Sequence, residues 1–417
     1  MTSHEGGTVW PEHIATGGLS VHSTSASPDR RLGSAAREAV AAWRAGGGAG
    51  FPYREVVDHY RAVGRVAASA SLVAELARLR DADPSDDRAG APVALKPWLR
   101  NTTDHADGDY ATYSGVGLQE RFLETARYGS RERTADVVLV THLVDLLRTE
   151  TEALAVAPSR EQHRRTRAVL HALRHADRLA PGAADARPEV AKPTRDADDA
   201  ELVGHALAAV ARARRYAEAG ELAELVLLPA TPLHDEQMFL RSIQMFECLY
   251  LRTAWGLEDA AEALRERRAA EAVTLLDATA DRLTAASALY RVLTTMPKEA
   301  FAIIRGHTAG RSAIQSSAYR RVELAAAAAH DDRSGTSAEP LQDVFRAALR
   351  WLPEADADAV REAMRRADEA WCVLKRSHWG ITIKTIGHVP GTGGTTGAGY
   401  LDKASRQPLF PALFSER

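Results

Sequence analysis

Apolar residues recur at helical spacing along most of the chain from Ala35 onward. Two clear series are Val56, Val57, Tyr60, Val63 and Val66, and then Leu72, Val73, Leu76 and Leu79. Residues three and four positions apart share one face of a helix, so this period predicts amphipathic helices that bury one face. No stretch alternates apolar and polar residues over more than a few positions, and no internal repeat emerges. The pattern therefore predicts an all-α protein.

Polar, helix-breaking stretches divide this pattern. Three linkers rich in proline, aspartate or glycine lie at 81–92, 181–199 and 331–340. The first residues are rich in Gly, Ser, Thr and His and carry no sustained period, which is typical of a flexible arm. The predicted organisation is an arm at 1–34, an N-terminal helical region at 35–200 and a C-terminal domain at 201–417.

Composition limits the class of partner. With 417 residues, 45% of them hydrophobic, the chain has enough apolar material for two or three domains' worth of core. The 53 basic and 56 acidic residues leave a net charge of −3, which gives no electrostatic reason to expect nucleic acid or an anionic membrane as a partner.

The N-terminus lacks the features of a signal peptide, and no apolar run approaches the ~18–20 residues of a membrane span. Cys248 and Cys372 lie in amphipathic stretches that favour buried free thiols, so we expect a cytoplasmic protein.

Three segments in the C-terminal half carry candidate chemistry. The last of them places His378 fourteen residues before Thr392 of a Gly-Thr-Gly-Gly loop at 391–394. Two segments precede it, His-Asp-Glu-Gln-Met-Phe-Leu-Arg-Ser-Ile-Gln-Met-Phe-Glu at 234–247 and Phe-Ala-Ile-Ile-Arg-Gly-His-Thr-Ala-Gly-Arg-Ser-Ala-Ile-Gln-Ser at 301–316. The loop is not a nucleotide-binding P-loop, because it lacks the Lys-Ser/Thr ending and a preceding strand. Its glycines allow positive φ and close backbone approach to a ligand.

In order and spacing, the three segments resemble the haem-ligand and substrate-binding parts of the tryptophan 2,3-dioxygenase superfamily. The resemblance covers roughly residues 230–417. It implies a helical bundle that encloses a b-type haem, with His378 as the axial iron ligand, since a neutral imidazole supplies the lone pair that haem iron takes. It also implies that Arg305 forks onto the substrate carboxylate, because only a guanidinium offers two parallel donors that stay charged.

The same resemblance assigns the rest of the pocket. Thr392 would bind the ammonium or carboxylate group of the substrate, within the loop that contains Gly391, Gly393 and Gly394. Further pocket positions of the family fall on Phe239, Ile243, Phe301 and Ser312. Aromatic side chains at such positions pack against an aromatic ring of the substrate. A weaker similarity to the N-terminal segment of the family lies at 109–118.

Three departures separate the chain from the classical members of that family. Ile243 occupies the position of the distal histidine that faces the indole nitrogen, and its side chain cannot form a hydrogen bond. Roughly 200 residues precede His234, which is more than the classical enzymes have. Thr382 stands where one tyrosine-type branch has a haem-linking cysteine, so covalent attachment at that position is excluded. These departures favour a member that serves specialised metabolism.

The function that the resemblance implies is haem-dependent oxidation of a free aromatic L-amino acid, with dioxygen or peroxide as the oxidant. Tryptophan or a modified tryptophan is the favoured substrate, through dioxygen insertion or oxidative rearrangement of the indole. Two alternatives stay open: hydroxylation of tyrosine or a substituted tyrosine, and a non-catalytic haem or amino-acid sensor. The family also leads us to expect a homo-oligomer.

Two other groupings of polar residues have structural explanations. His171 and His175 stand one helical turn apart, a spacing that can share a metal. The arginines around them favour a solvated basic helix face instead: Arg160, Arg164, Arg165, Arg167 and Arg174. His234, Asp235 and Glu236 are consecutive and would point in different directions from a helix, so we expect a cap-like role and not a metal triad.

Overall fold

A computed structural model of the chain describes residues 28–46, 50–82, 92–103, 109–190, 192, 198–307, 316–327, 339–387 and 397–414. All regular structure in these ranges is helical, which confirms the predicted all-α class. Helix α1 begins at Pro28, inside the stretch for which a flexible arm is predicted. None of the described helices is long and apolar enough to cross a membrane.

The N-terminal half contains ten of the described helices. They are α1 (Pro28–Gly46), α2 (Tyr53–Val63), α3 (Ala70–Asp81), α4 (Leu95–Thr103), α5 (Tyr110–Ser114), α6 (Val116–Glu124), α7 (Arg131–Val156), α8 (Arg160–Arg174), α9 (Ala176–Leu179) and α10 (Asp199–Arg212), with 3₁₀ turns at Arg65–Ala67 and Pro181–Ala183. Side-chain caps fix several of their first turns. Ser130, Ser159 and Asp198 accept hydrogen bonds from the first-turn N–H groups of α7, α8 and α10.

The C-terminal half contains the two longest helices, α12 and α18. Its helices are α11 (Ala217–Leu225), α12 (His234–Arg265), α13 (Ala269–Ala285), α14 (Ser287–Leu293), α15 (Lys298–His307), α16 (Ser317–Ala326), α17 (Leu341–Ala348), α18 (Glu354–Ile386) and α19 (Ala398–Ser405), followed by a 3₁₀ turn at Pro411–Phe414. Helix α12 packs against α7, α13 and α16, which explains why it is buried on several sides.

One continuous cluster of buried side chains runs from Ala36 to Phe410. Trp98 and Trp371 are its largest fully buried members. Burial of each large apolar side chain contributes about 1.5–3 kcal/mol, so this cluster is the main source of stability. Both cysteines are free thiols, as predicted, with Cys248 buried and Cys372 half-buried.

A glycine joins the N-terminal helices to the segment that precedes α12. Gly64 has a φ of 78° at the end of α2, and an added Cβ would lie 2.5 Å from the carbonyl oxygen of Ala230. The next two residues, Arg65 and Val66, donate their backbone N–H groups to the carbonyls of Pro229 and Ala230 at 2.8 and 3.1 Å. Only glycine combines this backbone conformation with so close an approach.

The chain after the glycine-rich loop is anchored to α18. Asp368 accepts hydrogen bonds from the backbone N–H groups of Leu409 and Phe410, and Lys375 donates to the carbonyl of Gln407 at 2.6 Å. Gly397, three residues after the Gly-Thr-Gly-Gly loop, has a φ of 65° and precedes α19. Glycine adopts this left-handed conformation without strain.

Candidate functional site

Three helices hold the candidate residues that the structure describes. Phe239 and Ile243 lie on α12, Phe301 and Arg305 on α15, and His378 on α18. Helix α15 packs against both α12 and α18, and α14 packs against the same two helices. The predicted residues Thr392, Ser312, Gly391, Gly393 and Gly394 lie outside the described ranges.

His378 is half-buried on α18, and its ring is stacked on that of Tyr290 from α14. The two ring centroids are 6.2 Å apart and the planes make an angle of 19°. In the described part of the chain, neither ring nitrogen of His378 has a hydrogen-bond partner. Burial lowers the pKa of His378, so its imidazole is neutral at neutral pH. A neutral imidazole with unbonded nitrogens is the form that binds a metal ion.

Aromatic side chains continue from His378 into the interior. Tyr290 contacts Phe246 with ring centroids 4.5 Å apart and is hydrogen-bonded to Tyr250, both on α12. Tyr250 in turn meets Trp371 of α18 at 5.9 Å. Burial raises the pKa of the Tyr290 hydroxyl, which keeps it protonated. His378 thus lies at one end of a row of packed aromatic side chains, Tyr290, Phe246, Tyr250 and Trp371, which we call the aromatic wall. The sequence pattern did not predict this row.

Two candidate aromatic residues are in direct contact. The rings of Phe239 and Phe301 meet edge to face, with centroids 5.6 Å apart and an interplanar angle of 77°. Phe239 and Ile243 also pack against a small buried cluster that contains Tyr113 and Leu240. The structure therefore brings the three apolar candidates of α12 and α15 into one region.

Arg305 lies in the last turn of α15, four residues after Phe301. Residues four apart share one face of a helix, so the guanidinium and the phenyl ring project from the same side of α15. Arg305 is half-buried and takes part in contacts within the protein. The arrangement combines a cation with an aromatic surface on one helix.

A buried carboxyl group, Glu247, was not recognised in the sequence as a site residue. It is 1% exposed, and it accepts hydrogen bonds from the hydroxyls of Tyr110 at 2.8 Å and Ser316 at 2.9 Å. Burial raises the pKa of Glu247 to about 7, and the nearby Glu120 carboxylate acts in the same direction. Ser316 is also the N-cap of α16, so this group links α5, α12 and α16.

The N-terminal region contributes to the same part of the molecule. Tyr110 and Tyr113, on the short helix α5, donate hydrogen bonds to Glu247 and to Glu236 of α12. These tyrosines belong to the segment 109–118, which resembles the family only weakly. Two residues three positions apart lie on one face of a helix, and here both tyrosines contact α12.

His234, Asp235 and Glu236 point to three different partners. Glu236 accepts from the backbone N–H groups of Ala230 and Thr231 just before α12. This role is structural, but it is not a helix cap, because no side chain caps the first turn of α12. The two neighbours of Glu236 turn elsewhere, His234 to Glu150 and Asp235 to Arg165. In the ranges that the structure describes, no group of three or more His, Cys, Asp or Glu side chains could hold a metal ion.

An open pocket of about 410 Å³ lies between α6, α12 and α16. It is lined by Glu120, Leu123, Glu124, Arg131, Leu251, Trp255, Ser317, Ala318 and Arg321. A second pocket of about 320 Å³ lies beside α8 and α9. Neither is lined by a candidate residue, so the candidate site is defined by its side chains and not by either of these pockets.

No protein-family model matches the chain, and no curated protein matches it significantly. The fold defines the class as an all-α protein with two long helices, α12 and α18, at the candidate site.

Proposed function

We propose that the chain is a haem-dependent oxygenase of a free aromatic L-amino acid, with tryptophan or a modified tryptophan as the substrate. The observation that carries the proposal is His378, a neutral and half-buried imidazole with no hydrogen-bond partner in the described ranges. It lies at the end of an aromatic wall, and the helix on which it lies also packs against the helix that carries Arg305. The order and spacing of the three sequence segments support the same function.

The aromatic side chains near His378 support a haem site in chemical terms. The macrocycle is largely apolar and planar, and the rings of Tyr290 and Phe246 lie beside His378. Haem, when bound, would supply the activation of dioxygen or peroxide that side chains alone do not provide. His378 would bind the iron through one ring nitrogen.

The remaining candidates would bind and orient the amino acid. Arg305 would fork onto the carboxylate, and Thr392 would hold the ammonium or carboxylate group inside the loop of Gly391, Gly393 and Gly394. The edge-to-face pair of Phe239 and Phe301 would pack against the substrate ring. By the family resemblance, Ser312 would contribute to the same pocket. Fixing both ends of the substrate would supply orientation, which lowers the barrier to its oxidation.

Ile243 favours a second candidate function, hydroxylation of a tyrosine-like ring. Its side chain is half-buried and packs with apolar neighbours, so it offers no hydrogen bond to an indole N–H. A phenol ring has no ring N–H, and its hydroxyl would need a hydrogen-bond partner elsewhere in the pocket. The mass of the product separates the two functions, since ring cleavage adds two oxygen atoms and hydroxylation adds one. Haem and ligand binding without any substrate-dependent oxygen or peroxide consumption would indicate a sensor instead.

Replacement of Arg305 by alanine is expected to weaken amino-acid binding by about tenfold or more, because a charged, bidentate hydrogen bond contributes ~1.5–3 kcal/mol. Arg305→Lys should recover only part of this loss, since an ammonium lacks the fork. Isothermal titration of the haem-loaded protein with L-tryptophan and L-tyrosine measures the affinity, and haem stoichiometry is recorded for each variant.

The exposed Arg350 serves as the control for that experiment. Arg350→Ala removes an equal charge and should leave both amino-acid affinity and haem content unchanged. If Arg305→Ala binds the amino acid as tightly as the parent protein, the carboxylate assignment is wrong. A loss of haem from Arg305→Ala as large as its loss of amino-acid affinity would also contradict the carboxylate assignment, because the effect would then be structural.

A further inference from the structure

Five basic side chains converge where α8 ends. His171 and Arg174 lie in the last turn of α8, His175 follows it, Arg178 lies on α9, and Arg291 lies on α14. The rings of His171 and His175 meet edge to face, with centroids 4.7 Å apart and an interplanar angle of 76°. We predicted that the arginines around His171 and His175 lie on a solvated basic face. This prediction is wrong for Arg165, which is buried and pairs with acidic groups. In the described part of the chain, none of the five residues of the cluster forms such a pair.

The contacts inside the cluster join cations to imidazole nitrogens. Arg174 and Arg291 approach Nδ1 and Nε2 of His171 at 2.9 and 3.3 Å, and Arg178 approaches Nδ1 of His175 at 2.7 Å. A guanidinium only donates, and a neutral imidazole has a single acceptor nitrogen. His171 therefore cannot accept from both arginines, and at least one guanidinium donor lacks an acceptor.

Asp177 lies beside the cluster and acts on His175. Even so, none of Arg174, Arg178 and Arg291 forms an ion pair in the part of the chain that the structure describes. Arg174 Nε is shielded from solvent and has no hydrogen-bond partner. Arg165 of the same helix shows the contrast, because it pairs with the carboxylates of Glu150 and Asp235.

We propose that the cluster, defined as His171, Arg174, His175, Arg178 and Arg291, is a binding site for a phosphate-type oxyanion. A tetrahedral oxyanion offers enough acceptor oxygens for the unpaired donors of all three arginines, and its negative charge offsets their repulsion. Arg174 also lines the open pocket of about 320 Å³, together with Arg187 and the acidic residues Asp177 and Glu189. The organic part of a small phosphate monoester has room there.

The two histidines make this binding sensitive to pH. Burial lowers the pKa of His171 to about 4, with Arg291, His175 and Arg174 acting in the same direction. Burial and the arginines also lower the pKa of His175, and Asp177 is the one acidic group that opposes them. Both imidazoles are thus neutral at neutral pH without an anion. A bound oxyanion favours their charged forms, so binding takes up protons and becomes tighter as the pH falls.

The first test measures sulfate and phosphate binding by isothermal titration at constant ionic strength. The double variant Arg174→Gln/Arg291→Gln should bind sulfate about tenfold or more weakly, since two charged hydrogen bonds are lost. Arg164→Gln is the matched control, because Arg164 is exposed on the same helix and contacts neither histidine. It should keep the affinity of the parent protein.

The second test uses the protonation of the histidines. Sulfate keeps its charge across the relevant range, so any pH dependence of its affinity comes from the protein. NMR titration should show the pKa of His171 rising by about one unit or more in saturating sulfate, which corresponds to about tenfold tighter binding to the protonated form. The double variant should show no such rise.

The third arm compares inorganic phosphate with phosphoserine, a small phosphate monoester. If the monoester binds more tightly, the adjacent pocket holds its organic part. If the two bind equally, recognition involves the cluster alone, and either result supports the site.

The proposal is overturned if the double variant binds sulfate as tightly as the parent protein does, or if Arg164→Gln loses as much sulfate affinity as the double variant. It is also overturned if the pKa of His171 does not change in saturating sulfate. The arginines would then serve only to neutralise the C-terminal end of α8. Haem content should be the same in all these variants, so the result is independent of the proposed function.

Discussion

Replacement of Glu236 by alanine is expected to lower the free energy of unfolding by about 3–5 kcal/mol, because it removes the shared acceptor of a buried hydrogen-bond cluster. Glu236 is 0% exposed. It accepts from the hydroxyl of Tyr113 at 3.0 Å and from the backbone N–H groups of Ala230 and Thr231 at 2.9 and 2.7 Å. Each donor left buried without a partner costs ~1–3 kcal/mol.

The effect of Glu236→Ala should extend to the candidate site. Tyr113 and Ala230 belong to the buried cluster against which Phe239 and Ile243 pack. The turn that contains Ala230 also receives hydrogen bonds from the residues after Gly64. Loss of the carboxylate therefore loosens the connection between the N-terminal helices and α12.

Glu262→Ala is the matched control on the same helix. The Glu262 side chain is 57% exposed and forms an ion pair with Arg265 at 2.8 Å. Its removal should change the free energy of unfolding by less than about 0.5 kcal/mol, since exposed ion pairs contribute little. Urea denaturation followed by circular dichroism compares the two variants. Equal destabilisation by both would contradict the role assigned to Glu236.

The second large effect concerns pH. Glu247 has a pKa raised from 4.5 to about 7 by burial, so in the folded protein it holds a proton that the unfolded chain releases near pH 4.5. Its contribution to stability is full below pH 4.5 and is lost as the pH rises through about 7. The loss amounts to about 3 kcal/mol at one pKa unit per 1.36 kcal/mol.

Glu247→Gln isolates this contribution. Glu247 accepts from the hydroxyls of Tyr110 and Ser316. The amide of glutamine keeps one acceptor oxygen for one hydroxyl, and its NH₂ group can donate to the oxygen of the other. The variant should match the parent protein near pH 4 and exceed its stability by about 3 kcal/mol near pH 8. Urea denaturation at both pH values gives the difference. A parent and variant with parallel pH profiles would show that Glu247 does not titrate in this range.

The helical class and the position of α12 were accessible from sequence because they depend on local period. Apolar residues of α12 recur every three or four positions, and the helix begins at His234, where the predicted pocket segment begins. The edge-to-face contact of Phe239 and Phe301 also joins two residues that the sequence had assigned to one pocket.

The contacts of Glu247 and His378 were not accessible in this way. Tyr110 and Glu247 are 137 residues apart in the chain, and Tyr290 and His378 lie on different helices. No periodicity of either partner encodes such a pairing. It follows from how α5, α12, α14 and α18 pack, and that packing is set by the whole core.

The burial of Arg165 on α8 could not be predicted from the local sequence either. The sequence placed Arg165 and Arg174 on one solvated face, but Arg165 is 1% exposed and pairs with Glu150 and Asp235. Its acidic partners come from α7 and α12, far away in the chain. The burial of a charged residue could be recognised only once those partners were in place.

We propose that His378 binds haem iron. The most direct measurement compares the absorption spectra of the purified, haem-supplemented parent protein and of His378→Ala. The control variant is His205→Ala, because His205 is a half-buried histidine of α10. Each protein is titrated with L-tryptophan and L-tyrosine.

We expect the parent protein to contain stoichiometric haem, with a Soret band that shifts when one of the two amino acids is added. The band should be lost in His378→Ala and unchanged in His205→Ala. Free imidazole should restore the band in His378→Ala by occupying the vacated ligand position. Absence of stoichiometric haem in the parent protein, or a spectrum that His378→Ala leaves unchanged, would contradict the claim.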